Sequence, residues 1–166
     1  RSGRLEAIVV RLGHERHATP AHGRLTRAGG LVGDRWAIDP RPERQLTVMD
    51  ARVVRWLLAR RAAPKQAALI AHEALDLPGD NLVVDWPTGA DEVPAGTRWR
   101  LGAALIETND VPHMGCKKFE ARFGRPALEW INAPEHRALR MRGIHATVIE
   151  EGAIAVGDVL VPVTSG

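Results

Sequence analysis

Among the 166 residues there is one cysteine, no tyrosine, two phenylalanines and three lysines. A single cysteine permits no internal disulfide and excludes zinc sites built from several thiolates. It fits a reducing compartment, so a cytoplasmic protein is expected. No apolar run approaches the roughly 20 residues of a membrane span, and nothing resembles a signal peptide, so no membrane partner is expected. The chain starts with arginine, and its natural start is expected to lie upstream. With five tryptophans as the main aromatic stock, few side chains are available to stack bases, and nucleic acid is not the expected partner despite a pI of 9.7.

What is abundant is arginine, 20 residues against the three lysines, for a net charge of +3. A compositional bias of the genome would produce this. So would an anion-binding pocket, because the guanidinium fork makes bidentate contacts to phosphate and carboxylate. The apolar and charged fractions, 45% and 26%, are ordinary for a globular chain. The length suits one domain over residues 1–166, large enough to bury about 70% of its unfolded surface.

Short strands with glycine turns dominate the pattern. Leu5 to Leu12 is β-branched-rich and reads as one buried strand. A loop carrying His14, His17 and His22 follows, with a spacing that fits no compact metal motif. Ala28 to Trp36 contains Gly29, Gly30 and Gly33, and Asp34 there reads as a turn or cap carboxylate. It has neither the lysine of a P-loop nor the strand–glycine–helix order of a dinucleotide site. Gln45 to Met49 alternates as a half-buried strand does, and Asp50 caps a helix expected over Ala51–Ala63. Arg52, Arg55, Arg60 and Arg61 lie on that helix's polar side, which reads as a solvated face rather than a nucleic-acid surface. A second helix is expected over Lys65–Ala74, strands over Asn81–Asp85 and Ala103–Thr108, a brief helix over Arg125–Asn132, and closing strands at about Ala138–Met141, Ile144–Ile149 and Val159–Val163. This order predicts a mainly β fold, a β-barrel with short helical insertions, rather than a doubly wound α/β sheet.

The lone cysteine lies in Asp110-Val111-Pro112-His113-Met114-Gly115-Cys116-Lys117-Lys118-Phe119. Phe119 and Phe123 share a helical face and Gly124 is a natural stop, so Cys116 is placed at a helix start beside two ammonium groups. Such a setting stabilises a thiolate and lowers a cysteine pKa from about 8.5 to roughly 3.5–7.5. The competing reading is a small buried hydrophobe, since free cysteine is among the most buried residue types. His113 is either a base or supporting partner to the thiol, or an ordinary loop histidine.

Several ordered stretches resemble the MOSC family, named for the C-terminal domain of molybdenum-cofactor sulfurases. They are Gly30-Leu31-Val32-Gly33-Asp34 followed by Arg35, the strand Gln45 to Asp50, Asn81-Leu82-Val83, and Leu101 to Glu107 before the cysteine loop. Arg142-Gly143-Ile144-His145-Ala146 and Gly152 to Asp158 complete the set. Together they span about residues 5–161. Gly115 departs from the proline that many members carry before the cysteine.

The resemblance implies a small mixed barrel associated with molybdenum cofactor (molybdopterin), with Cys116 as sulfur carrier or molybdenum ligand. It also implies reduction of N-hydroxylated compounds in some relatives. A cysteine desulfurase or an electron-transfer protein is the implied partner. Pyridoxal phosphate would belong to such a partner and is not expected within this chain. A phosphate-bearing cofactor needs donors of fixed geometry, for which Arg35, Arg142 and the amides near Gly33 are the candidates. Lys117 adds electrostatic support, Asp34 orients Arg35 or the loop backbone, and Asn81 either meets the ligand or holds a turn. The alternative function is a non-catalytic adaptor or binding barrel that delivers sulfur or cofactor to another enzyme; a small-molecule substrate is also among the expected partners.

Overall fold

The computed structural model describes residues 2–61 and 74–163. Its strands are β1 (Gly3–Ile8), β2 (Val10–Gly13), β3 (Arg16–Ala18), β4 (His22–Thr26), β5 (Gly30–Leu31), β6 (Leu46–Asp50), β7 (Leu82–Val84), β8 (Arg98–Leu101), β9 (Ala104–Thr108), β10 (Ile144–Glu150), β11 (Gly152–Ala155) and β12 (Val159–Val163). The helices are α1 (Ala51–Arg61), α2 (Lys117–Phe123) and α3 (Arg125–Asn132). Seven strands close into a barrel in the order β1-β12-β8-β9-β10-β6-β7, β7 returning to β1. The barrel is mixed: β6 and β7 run parallel and every other barrel pair is antiparallel. A parallel pair cannot be joined by a tight turn and needs a crossover. Helix α1 begins that crossover immediately after β6, started by the Asp50 carboxylate, which accepts the Arg52 amide at 2.9 Å.

Side chains alternate across each barrel strand, and this sorts the apolar residues into two cores. Leu46, Val48, Leu82, Val84, Trp99, Leu101, Ile106 and Ile144 fill the barrel. Met49 and Val83 point outward, where Val54, Leu57 and Leu58 of α1, Phe119 of α2 and Ile131 of α3 cover them. The segment expected as a half-buried strand, Gln45–Met49, is therefore buried on both faces, because the helices roof its outer side. Trp56 of α1 stacks on Trp130 of α3 with ring centroids 4.1 Å apart, and the Arg60 guanidinium lies over Trp56. The other arginines of α1 are also occupied: Arg52 with Asp50, Arg55 with Glu6, and Arg61 with the Arg122 carbonyl.

Several expectations about local structure are corrected. The stretch from Leu5 to Leu12 is two strands, β1 and β2, divided at Val9. The presumed loop with His17 and His22 is strand, β3 completing a hairpin with β2 and β4 joining β5 and β11 in a side sheet. Ala138–Met141 is not a strand; Pro134–Leu139 winds as a 3-10 helix that Arg140 ends in a left-handed conformation, and proline at its first turn favours that start. The helix expected from Lys65 falls almost wholly outside the described residues.

A buried polar knot fastens the mouth of the barrel. Asn81 is fully buried, and its amide donates to Val9 O at 3.2 Å and to Asp34 Oδ1 at 3.0 Å. Its Oδ1 accepts the Thr47 amide at 3.2 Å, and its own backbone N–H donates to Thr47 Oγ1 at 3.0 Å. One side chain thus joins the β1–β2 junction, β6, the start of β7 and the loop after β5. Leaving a buried donor or acceptor unpaired costs about 1–3 kcal/mol, so Asn81→Ala is expected to lower the unfolding free energy by roughly 2–4 kcal/mol in urea titration. Surface changes such as Arg24→Ala are expected to stay within about 0.5 kcal/mol.

Candidate functional site

A cleft of about 850 Å³ opens at this knot. One wall is the β2–β3 hairpin, with Arg11, Arg16 and His17; a second is the segment from Arg35 to Arg44. The third is the cysteine loop with the start of α2, and Thr47, Arg142 and His145 form the floor. Eight lining residues are arginine or lysine and only two, Glu15 and Asp39, are acidic, so the cleft is strongly electropositive.

Cys116 is the N-cap of α2 and is exposed to this space, which removes the buried-hydrophobe reading. Partial burial opposes ionisation of the thiol. The Phe119 and Lys118 amides of the first turn, with the Arg142 and Arg122 charges, outweigh it, and the thiol titrates below its ordinary value. The sulfur completes no capping bond; it is left available.

The backbone that presents the thiol is clamped. Asn132, the last residue of α3, accepts the Gly115 amide at 2.8 Å and donates to the Gly115 carbonyl at 2.9 Å. A Cβ at Gly115 would meet Leu128 Cδ1 at 2.8 Å and Ile131 Cγ2 at 3.0 Å, so any larger residue would have to displace these α3 side chains. Proline at this position would both clash and lack the N–H that Asn132 accepts. Asn132 thus uses the backbone N–H that a proline at position 115 would lack.

Beside the thiol loop, the rings of His113 and His145 lie 4.6 Å apart, centroid to centroid. Burial, reinforced by Arg142, pushes His113 well below its ordinary pKa; burial and Arg44 push His145 the same way, so both imidazoles are neutral. Each has a buried Nδ1 without a hydrogen-bond partner among the described residues. Arg142 is buried and ion-paired with Asp80, while its Nε has no partner and Asp80 Oδ1 lies 3.5 Å from His113 Nδ1. Among the described residues no three His, Cys, Asp or Glu side chains are arranged to hold a metal ion.

The cleft cations fall into two tiers. Arg11, Arg122 and Arg142 have side chains only 17%, 16% and 9% exposed and are each held by a carboxylate. For Arg11 this is Asp34, which takes its Nε at 3.0 Å and its Nη2 at 2.8 Å and also caps Trp36. Burial would raise the Asp34 pKa, but the Arg11 contacts dominate and lower it. Arg16, Arg35 and Arg44 make no side-chain hydrogen bond or ion pair among the described residues. The hairpin tip closes on α2 through Glu15, which accepts from Lys118 at 3.0 Å and from Arg122.

Of the residues singled out in the sequence, Cys116, His113, Arg35 and Arg142 meet in the cleft. Gly33, Asp34, Asn81 and Lys117 do not line it. Gly33 is exposed at φ +89°, Asp34 and Asn81 lie buried behind the wall, and Lys118 rather than Lys117 faces the cavity. Asp34 orients Arg11 and holds the loop backbone at Trp36, but does not meet Arg35. Arg11, Asp80, Asn132 and His145 were not singled out. Their signal was faint, a charge inside the apolar run Val9-Val10-Arg11-Leu12 and a histidine inside the strand from Ile144 to Ala146.

Such a site defines a small mixed barrel that presents an exposed thiol at the edge of an arginine-lined cleft. The MOSC domain model matches residues 28–161, and the chain belongs to the MOSC family, which is associated with molybdenum cofactor. No curated protein sequence matches it significantly. Among solved structures, YiiM from Escherichia coli is 25% identical with a TM-score of 0.61, over 98% of this chain and 71% of that one. YiiM from Geobacillus stearothermophilus is 18% identical with a TM-score of 0.62, over 99% and 76%. The YuaD protein from Bacillus subtilis is 13% identical with a TM-score of 0.61, over 96% and 94%. The last two likenesses concern the fold alone.

Two outcomes are expected. Alkylation of Cys116 by iodoacetamide, followed across pH, gives a midpoint below the ordinary thiol value of about 8.5, and Asn132→Ala moves it upward by releasing Gly115. Hydrogen bonds from Arg122 and then Lys118 hold the Glu15 carboxyl down from 4.5 to about 2. Because the folded value is the lower one, the latch is fully present above pH 4.5 and is lost as pH falls towards about 2. Amide exchange in the β2–β3 hairpin should therefore accelerate over that window, and Glu15→Gln should remove the pH dependence.

Proposed function

We propose that this protein binds molybdenum cofactor in the arginine-lined cleft, with Cys116 as the molybdenum ligand or sulfur carrier. The observation that carries this reading is the convergence of an exposed, low-pKa thiol with anchored guanidiniums in one cavity. Thiolate, not thiol, is the form that ligates a soft metal or attacks a sulfur donor, and the first turn of α2 favours it. The polar atoms left unpartnered suit an organic ligand: Arg142 Nε can take a phosphate oxygen, and the two neutral imidazoles offer Nδ1 to heteroatoms of a heterocycle. Arg11 and Arg142, held by buried carboxylates, would fix the anionic end without paying to order their side chains. The protein's own contribution to a metal centre is the single thiolate, the remaining donors belonging to the cofactor.

When bound, the cofactor supplies two-electron redox chemistry at molybdenum. This chain's residues then bind and orient it: the inner arginines hold the phosphate, Cys116 holds the metal, and His113 and His145 form a dry, neutral wall beside it. Reduction of an N-hydroxylated small molecule is the activity this arrangement would support, with an electron-transfer protein or a cysteine desulfurase as partner in a cytoplasmic setting.

The test is molybdenum and pterin content of protein purified from cells that make the cofactor. Near-stoichiometric pterin is expected in the wild type. Cys116→Ala should lose most of the molybdenum, and Arg142→Ala should lose pterin by about tenfold or more, the worth of a hydrogen bond to a charged group. Equal, negligible content in wild type and Cys116→Ala overturns the reading. A persulfide on Cys116 in mass spectra, without pterin, would favour the adaptor that passes sulfur to another enzyme.

A further inference from the structure

The two arginine tiers differ in the ligand they suit. The inner guanidiniums, Arg142 buried and Arg11 and Arg122 half-buried, are oriented and already charge-balanced, as a resident group requires. The outer three are not: Arg16 and Arg44 are exposed, Arg35 is half-buried, and none has an ionic partner among the described residues. They come from different elements, Arg16 from β3, Arg35 from the 3-10 helix Arg35–Ile38 and Arg44 from the 3-10 helix Pro42–Arg44, yet all line one cleft. Like charges brought together without a counter-charge repel one another, and an anion between them relieves that cost. His145, 4% exposed with an unpartnered Nδ1, lies on the floor of the same cleft.

We propose that Arg16, Arg35 and Arg44 form a second anion site at the cleft mouth, for a small phosphorylated ligand that exchanges beside Cys116. A phosphate monoester fits better than a carboxylate because it offers close to two charges and three terminal oxygens to three guanidiniums. Flexible, unpaired arginines suit a ligand that must also leave, since each binding event orders them and each release frees them. That this ligand is the substrate rests on the cofactor reading above; the anion site itself does not. Arg44 also bears on the floor, because its charge helps hold His145 neutral. The groups whose charges bear on that imidazole are Arg44, Asp80 and Arg142, with the neutral His113 ring stacked against it. A phosphate on Arg44 would offset the larger of the repulsive ones.

The experiment is calorimetric titration of the wild type and of the Arg16→Ala/Arg44→Ala variant with phenyl phosphate, benzoate and phenol, in phosphate-free buffer. Phenyl phosphate is expected to bind at least about tenfold tighter than benzoate, and phenol not measurably. The double variant should lose that affinity by about tenfold or more while keeping wild-type pterin content and melting temperature. Saturating phenyl phosphate should raise the His145 titration midpoint followed by NMR in the wild type and leave the variant's unchanged. Equal binding of the three probes, undiminished binding by the variant, or a phosphate effect on His145 that survives in it overturns the second site. Loss of pterin together with phosphate affinity also overturns it, by assigning these arginines to the cofactor. A wild type without pterin that still binds phenyl phosphate through Arg16 and Arg44 upholds the anion site while removing the cofactor reading.

Discussion

Asp34 is a carboxylate almost entirely withdrawn from water, and the architecture of the cleft depends on how it is satisfied. It is 3% exposed and accepts from the Arg11 backbone, the Arg11 guanidinium, the Trp36 amide and the Asn81 side chain. Burying a charge is tolerable only when it is paired and hydrogen-bonded. Here the requirement sets the β2 strand, the 3-10 segment and the start of β7 at fixed distances from one another. Those are the elements from which the cleft walls rise. The same arithmetic is repeated by Asp80 and Arg142 at the floor, so each inner arginine is positioned by a carboxylate behind it.

The thiol is positioned by a different means. No charge holds Cys116; packing and two backbone hydrogen bonds do. Phe119, 1% exposed, anchors α2 in the outer core, and Asn132 fastens Gly115 one residue before the sulfur. The loop therefore approaches α3 as closely as glycine allows, and the first-turn amides of α2 face a sulfur that nothing else occupies. Rigid presentation matters for a ligand or nucleophile, because misplacement by an ångström forfeits much of the benefit of proximity.

The barrel supplies what both devices need, a support whose register does not slip. Its strands are buried on the inner face by one another and, at β1, β6 and β7, on the outer face by helices. A one-residue shift would turn Val48 and Leu82 outward and Met49 and Val83 inward, with no compensating gain. The parallel β6–β7 pair brings Thr47 and Asn81 side by side at the same end, which is how the polar knot and the cleft come to share a location.

Much of this was legible in the chain. Periodicity and turn residues placed most of the barrel strands and all three described helices, the capping role of Asp50 included, because these are local consequences of side-chain alternation, β-branching and glycine or proline placement. The ordered motifs identified the family, and the lone cysteine beside two lysines pointed to a loop that borders the cleft. What the sequence could not supply was pairing across distance. Arg11 and Asp34 are 23 residues apart, Asp80 and Arg142 are 62 apart, and Gly115 and Asn132 are 17 apart. Asp34 therefore read as orienting Arg35 or the loop backbone, Asn81 as meeting the ligand or holding a turn, and His145 as one more residue of a strand. Local chemistry determined which segments could be strand, helix or thiolate; closure of the barrel decided which charges met, since a buried carboxylate selects its partner by proximity in space.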